Sequence, residues 1–377
     1  MSYIYFDNAA TTFIDKNVLD AMIPYLSTIG GNPSSTHAAG REARSAVEKA
    51  RKKVASLLGV TPGEIFFTSS GTESTNTVLH AAVRDLGCRH IITSPIEHHA
   101  TLHTAEFLAS LDLCVLHKVG LTEDGHIDYV HLEQLLKDIG DDSPKIVSLM
   151  HANNEVGNIS DIQFVRELCN RYNAYFHTDA VQTMGHYPLD LGQIKPDFVS
   201  ASAHKFHGPK GSGLLYIRSG IQIKPFIHGG SQERTMRSGT ENVAGIIGFA
   251  EALQLSMLHY EEDSVYIRSL KEYAIEKITS SLPMISFNGD ISSNSLYTVL
   301  NIALPSTEKS EMMMINLDIA GICVSGGSAC SSGAQSISHV IRSIYPHRNT
   351  VPLRTSFCKH NTFEEIDTLL EKISEFL

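Results

Sequence analysis

From Glu64 to Arg218 the chain alternates short apolar runs with segments of helical period. The runs Glu64–Ser69, His90–Thr93, Leu113–Val119, Lys145–His151, Ala174–Asp179, Phe198–Ala203 and Gly213–Ile217 read as strands. Each is short, apolar and bounded by polar or turn-forming residues. Between several of them the spacing predicts helices, at Thr72–Leu86, Thr101–Ser110 and Ile162–Tyr172. Strands separated by helices of that length imply βαβ crossovers and a largely parallel, buried sheet. Upstream, Glu42–Leu58 places Val47, Ala50, Val54 and Leu57 on one helical stripe and stops at Gly59. After the turn-rich stretch His228–Gly239, a long helical pattern runs from Asn242 to about Ser281, with glutamates near Glu261 marking a bend or a domain crossing. A second, smaller α/β region is expected over Ser286–Leu377. The expected organisation is α/β throughout. It comprises a large domain over 15–260 with a mostly parallel central sheet and a small C-terminal domain over 261–377, against which 1–14 packs.

Composition narrows the function. The chain has 377 residues, and 30 Lys+Arg against 41 Asp+Glu leave a net charge of −11. Hydrophobic residues make up 42% and charged residues 19%, which is core-forming rather than disordered composition. A net negative surface argues against direct nucleic-acid binding, which needs a basic patch to meet phosphates. No apolar run approaches the roughly 20 residues that span a bilayer. The opening MSYIYFDNAATT lacks the basic-then-apolar layout of a signal peptide. Cys88, Cys114, Cys169, Cys323, Cys330 and Cys358 form no C-x-x-C pair. Scattered thiols in such a chain read as reduced and cytoplasmic.

Ligands bind at the carboxyl ends of strands in a parallel α/β sheet, and five polar clusters fall there. Ser70-Gly71-Thr72-Glu73-Ser74 opens a helix after a strand, which fits either an anion cradle or a simple cap. Glu97-His98-His99 follows the next strand and offers an aromatic plate, or only polar surface. Asn153-Asn154-Glu155 is a source of amides, or only a turn. Asp179, within His177–Gln182, closes a buried strand, and a carboxylate there needs a partner. Ser202-Ala203-His204-Lys205 puts an amine directly after an apolar strand, a setting that suits Schiff-base chemistry. Lys210, in the next turn, is the rival amine. Together these are the groups that pyridoxal phosphate (PLP) asks of a protein: a lysine, an acid for the pyridinium nitrogen and a phosphate cradle.

The same residues carry a resemblance. With Tyr5–Thr12, Gly31–Ser35, Arg237–Asn242, Gly327–Cys330 and Leu353-Arg354 in order, the sequence resembles the cysteine desulfurases, in the class V, fold-type I branch of PLP enzymes. The resemblance implies the following roles. Lys205 is the Schiff-base lysine, His98 stacks on the pyridine ring, and Asp179 faces the ring nitrogen. Asn154 and Gln182 lie near the phenolic oxygen, and Gly71, Thr72, Ser202 and His204 cradle the phosphate. Thr240 reaches the phosphate of a neighbouring subunit, which implies a homodimer. Arg354 clamps the carboxylate of L-cysteine through its bidentate fork.

Cys330 is the thiol with unusual neighbours. Val324–Gly333 is polar and glycine-rich, so it reads as a mobile loop with a reactive thiol, whereas Cys323 reads as buried and inert. The polar gap up to Ser338-His339 resembles the longer loop of group I desulfurases. The implied reaction yields L-alanine and a persulfide on Cys330. Its sulfur would pass to an iron–sulfur scaffold, a tRNA-thiolating protein or another carrier. Selenocysteine lyase uses the same pocket, and an aminotransferase would use the same lysine and acid but not Cys330. His99 and His103 have the spacing of a helical metal pair, but Ala100 stands where H-E-x-x-H needs its glutamate, so no metal is expected. The chain departs from many relatives at Ser231 and Thr235, where glycine is common, at Gly326, and at Cys358-Lys359, where Gly-Arg is common. These departures bear on subunit contacts and on the acceptor.

Overall fold

Alternation along each strand sends successive side chains to opposite faces, and in this chain both faces are apolar. The computed structural model describes residues 3–140, 142–326 and 338–377. Among them the strands are β1 (Ile4–Tyr5), β2 (Ile65–Thr68), β3 (His90–Thr93), β4 (Val115–Lys118), β5 (Lys145–Ser148) and β6 (Tyr175–Asp179). They continue with β7 (Phe198–Ser202), β8 (Gly213–Ile217), β9 (Ser286–Asn288), β10 (Val299–Pro305), β11 (Ile322–Cys323) and β12 (Thr350–Ser356). Seven of them form one sheet in the order β2-β8-β7-β6-β5-β3-β4. Pairing from β7 to β4 is parallel, and β8 alone runs antiparallel to its two neighbours. On one face Ile65, Phe67, Ile92, Val147, Val199, Leu214 and Tyr216 join a core with Val47, Val54, Leu168, Phe249 and Leu253. On the other, Phe66, Ile91, Ile146, Phe198 and Leu215 pack with Val78, Leu79 and Leu108. The α/β fold with a mostly parallel sheet is as the pattern of the sequence implies.

Two local differences have physical causes. The regular strand from Lys145 ends at Ser148, and beyond it Leu149 N–H and His151 N–H still donate to His177 O and Asp179 O of β6 as the buried chain runs on to the Asn153 turn. Helices at Lys16–Ser27 and Tyr129–Ile139 were not legible in advance, the first because it contains Pro24 and the second because two buried leucines carry its apolar stripe.

The long helical pattern breaks at His259 into Val243–Leu258 and Tyr260–Ser281, bent by 75°. Past the break a second core gathers Leu270, Ile278, Leu300, Ile302, Leu353, Ile366 and Ile373, and takes in Phe6 from the start of the chain. Its scaffold is an antiparallel sheet in the order β12-β10-β9, with β1 paired in parallel to β11 nearby. No single helix among the described residues is long and apolar enough to cross a membrane.

The turn-rich stretch before Asn242 holds three consecutive non-glycine residues at positive φ: Glu233 (44°), Arg234 (56°) and Thr235 (68°). A β-branched residue in that region is strained. The stretch is held by a buried ion pair, in which Arg51 donates through Nη1 to Glu233 Oε2 at 2.8 Å and Phe67 N–H donates to the same oxygen at 2.9 Å. Thr235, at φ 68°, is where a glycine would sit without strain. Ser231, at φ −88°, has no such need. Thr235→Gly should therefore raise the unfolding free energy by about 1 kcal/mol, the scale of a left-handed penalty, read as a higher denaturant midpoint at unchanged m. An unchanged or lower midpoint would mean that the neighbouring contacts already absorb the strain.

Candidate active site

β2, β6 and β7 all point their carboxyl ends to one edge of the sheet, and a cleft of about 290 Å³ opens there. Gly71, Thr72, His98, Asn154, Asp179, Gln182, Ser202, His204, Lys205 and Arg354 all line it, together with Ala9 and Ala10 from the N-terminal segment. Of the remaining expected site residues, Thr240 is exposed and lies outside the cleft of its own chain. Cys330 lies outside the described residues.

One end of the cleft is the start of a helix. Helix Gly71–Arg84 begins directly after β2, so the amides of Gly71 and Thr72 have no intrahelical carbonyl to reach. The cap reading of Ser70 holds as well, since its hydroxyl accepts from Glu73 N–H at 3.2 Å. Glycine is required at 71, because a Cβ there would stand 2.5 Å from Val181 Cγ2. Among the described residues Ser202 Oγ is buried without a hydrogen-bond partner, and His204 Nδ1 lies 3.2 Å from Thr11 Oγ1. Glu73 accepts from Ser69 N–H and is clamped by Arg237 at 2.9 Å, which fixes the start of the helix to the strained stretch described above.

Asp179 ends β6, 7% exposed, with one oxygen accepting from Val181 N–H at 2.9 Å. Burial pushes its carboxyl up to about 6, against the opposing effects of that bond and of Lys205. Among the described residues this buried acid makes no ion pair, although the charge of Lys205 acts on it. Lys205 sits in the short turn Ala203–Lys205 after β7 and donates to Ala9 O at 2.6 Å and Ala10 O at 2.8 Å. Gln182 Nε2 donates to Ala9 O at 3.1 Å. Lys210 is exposed and outside the cleft.

His98 caps helix His99–Ser110, its Nδ1 accepting from Ala100 N–H at 3.1 Å. Burial, then the charge of Lys205, brings its pKa down to about 4, so the ring is neutral at pH 7 with its proton on Nε2. The two asparagines divide the readings offered for them. Asn153 makes the turn, its side chain accepting from Glu155 and Val156 N–H. Asn154 lines the cleft. His99 and His103 stack face to face at 4.5 Å.

Sequence reasoning missed how Arg354 is held. It is 1% exposed on β12, donates through Nη2 to Asp7 Oδ1 at 2.7 Å and through Nη1 to Asn154 O at 2.9 Å, and among the described residues its Nε has no partner. Asp7 stood inside a quoted motif, but no local pattern links it to a residue 347 positions away. The thiols of Cys88 and Cys358 are buried and pushed up to about 12 and about 11, chiefly by desolvation. Cys169 is fully buried and raised as well. Cys323 is half-buried rather than buried, because it ends the two-residue strand β11.

A sheet edge bearing this lysine, acid, anion cradle and arginine defines a class of enzyme, and comparison with known proteins agrees. Residues 4–369 match the family model described as aminotransferase class-V. The chain is 43% identical over 343 residues to the cysteine desulfurase IscS of Dictyoglomus turgidum, covering 90% of this chain and 85% of that one. It is 39% identical over 381 residues to the putative cysteine desulfurase IscS 1 of Bacillus subtilis, covering 100% and 98%. Among solved structures, a NifS-like protein superposes with a TM-score of 0.91 at 38% identity over 99% of both chains. SspA in complex with cysteine superposes with a TM-score of 0.81 at 30% identity, over 95% of this chain and 100% of that one. The chain belongs to the class-V aminotransferase family, and within it to the cysteine desulfurases.

Proposed function

We propose that this chain is a PLP-dependent cysteine desulfurase that takes sulfur from L-cysteine, releases L-alanine and holds the sulfur as a persulfide on Cys330. The convergence of ten expected residues on one cleft carries the reading. The residues fit the cofactor on observations independent of any name: among the described residues Ser202 Oγ is buried without a hydrogen-bond partner, a Cβ at 71 would clash, and Asp179 is a buried carboxylate outside any ion pair. Gly71, Thr72, Ser202 and His204 would hold the phosphate, with Thr240 supplied by the partner chain of a homodimer. Asp179 would face the ring nitrogen, His98 a ring face, and Asn154 and Gln182 the phenolic oxygen. When bound through Lys205, PLP supplies an electron sink for charge developing at the substrate Cα.

The side chains of this protein then divide the work. Arg354 retains donors beyond those given to Asp7 and Asn154, and these hold the substrate carboxylate. The Lys205 amine would take the Cα proton as a general base and give it back as a general acid. The Cys330 thiolate attacks the substrate sulfur, so an S–S bond forms as the Cβ–Sγ bond breaks and the electron pair leaves with the three-carbon fragment. His98 is the proton acceptor for Cys330 in this scheme, and taking that role requires its Nδ1 to release Ala100 N–H. Sulfur then leaves to an acceptor such as an iron–sulfur scaffold or a tRNA-thiolating protein. The division into a large unit over 15–260 and a small unit over 261–377, with the site between them and the first residues bridging, belongs to the same proposal, as does a cytoplasmic location.

The direct test is mass spectrometry after incubation with L-cysteine. A gain of one sulfur at Cys330, with alanine formed in the absence of a keto acid, is expected; keto-acid-dependent alanine would favour an aminotransferase. Supplying selenocysteine in parallel ranks the two chalcogens.

Asp179 offers a second test, with opposite signs for stability and rate. Its pKa is raised on folding from 3.8 to about 6, so in cofactor-free protein it costs stability as pH rises through about 4 to 6, and the cost persists above that window. Asp179→Asn should make cofactor-free protein more stable at pH 7 by on the order of 2 kcal/mol, and no more stable below pH 4. The same change should cut turnover by at least about a hundredfold, because an amide does not keep the ring nitrogen protonated. Near-normal turnover would make the acid structural.

A further inference from the structure

The segment 327–337, which carries Cys330, is flanked by two serines, and both are tied to the frame that holds Arg354. On its N-terminal side Ser325 forms an antiparallel bridge with Arg354, Arg354 N–H donating to Ser325 O at 2.7 Å. The Ser325 hydroxyl donates at 2.8 Å to Asp7 Oδ1, the same oxygen that accepts from Arg354 Nη2. On the C-terminal side the Ser338 hydroxyl donates to Glu155 Oε2, and accepts from Val340 N–H at 3.0 Å as the cap of helix His339–Ile344. Glu155 is 1% exposed and follows Asn154, whose carbonyl accepts from Arg354 Nη1. Asp7, bonded to Arg354, and Glu155, next in the chain to Asn154 that also bonds Arg354, thus each receive one of the two flanking serines.

We propose that Asp7 and Glu155 are positioning residues for sulfur transfer: they fix both ends of the Cys330 segment to the arginine that receives the substrate carboxylate. The proposal rests on the reading of Arg354 and Cys330 given above. Neither carboxylate touches the reacting atoms. Their work is geometric: a substrate seated on Arg354 and a thiol carried between Ser325 and Ser338 share one reference point. An arrangement in which either end drifts by an ångström costs rate rather than affinity. Asp7 has the additional task of orienting Arg354, so its loss affects binding as well.

Five substitutions in the PLP-loaded full-length protein separate these roles. Ser325→Ala and Glu155→Ala should each lower kcat for alanine formation by about tenfold with KM for L-cysteine unchanged within about twofold. Asp7→Ala should lower kcat and also raise KM by about tenfold, and Asp7→Asn, which keeps an acceptor oxygen, should recover most of both. Glu155→Gln should rescue Glu155→Ala for the same reason. A readout independent of turnover is amide hydrogen exchange at Ser325 and Arg354, expected to be about tenfold faster in Asp7→Ala than in wild type. Variants that lower only the melting temperature, with kcat, KM and exchange at those amides unchanged, would overturn the proposal. Should Cys330→Ser form alanine normally, the reading of Cys330 fails, while the exchange data still decide whether the carboxylates anchor these serines.

Discussion

Cys330→Ser protein is expected to bind PLP and L-cysteine with the colour changes of wild type, yet to form neither persulfide nor sulfide, a loss of at least about a thousandfold. The hydroxyl of serine stays protonated near neutral pH and is a poor nucleophile towards sulfur, whereas a thiol of unperturbed pKa about 8.5 is a few per cent ionised at pH 7. The other thiols provide the contrast. Cys88, Cys114, Cys169 and Cys358 are buried with raised pKa values, and Cys323 is raised and partly covered, so burial keeps them as unreactive thiols. Cys323→Ser and Cys358→Ser should stay within about threefold of wild-type turnover. Quantifying alanine and persulfide in parallel decides the matter: normal turnover by Cys330→Ser would remove the desulfurase mechanism proposed for this chain.

Lys205→Ala should abolish the visible band of bound PLP and lower alanine formation by at least about a thousandfold, the scale of losing a covalent tether and a general base together. The fold should survive. Lys205 contributes no apolar core; its amine is held by the carbonyls of Ala9 and Ala10. Far-ultraviolet circular dichroism checks the fold, and absorbance checks the cofactor. Lys210→Ala is the internal control, since Lys210 is exposed beyond the cleft and should leave both signals intact. A variant pair with the reverse behaviour would move the attachment site to Lys210.

The parts of this site that could be read in advance share a physical origin. Asp179, Ser202 and Lys205 were legible because each follows an apolar strand, where the chain has little choice of location and polarity is costly unless used. Gly71 and Thr72 were legible as the start of a helix after a strand. What stayed hidden depends on pairs far apart in sequence: Asp7 with Arg354, Ser325 with Asp7, Glu155 with Ser338. No periodicity announces such contacts. Helix Lys16–Ser27 was hidden for a local reason, because Pro24 mimics a break while packing decides otherwise. The reversed direction of β8 was also hidden, because a strand buried on both faces reads the same in either direction. The left-handed backbone at Thr235 could be suspected from a residue substituted for a common glycine, but only the φ values separate it from Ser231, where the same kind of replacement is free of strain.

The N-terminal segment has a consequence for how the protein is made. Ser356 N–H donates to Phe6 O at 2.7 Å, Asn8 Nδ2 donates to Ser356 O at 2.8 Å, and Ala9 N–H donates to Ser356 Oγ at 2.8 Å. Asn8 and its neighbours are therefore seated by β12, a strand 348 positions further along the chain. Closing a contact of that span is slow compared with forming local helices and βαβ units, so the sheet can assemble during translation while one wall of its cleft waits. A nascent chain of this protein holds Lys205 and Asp179 before it has Ala9, Ala10 and Arg354 in place around them. Completion of the cleft is thus expected to wait for β12, and truncations that remove β12 should yield folded sheet without a complete cleft.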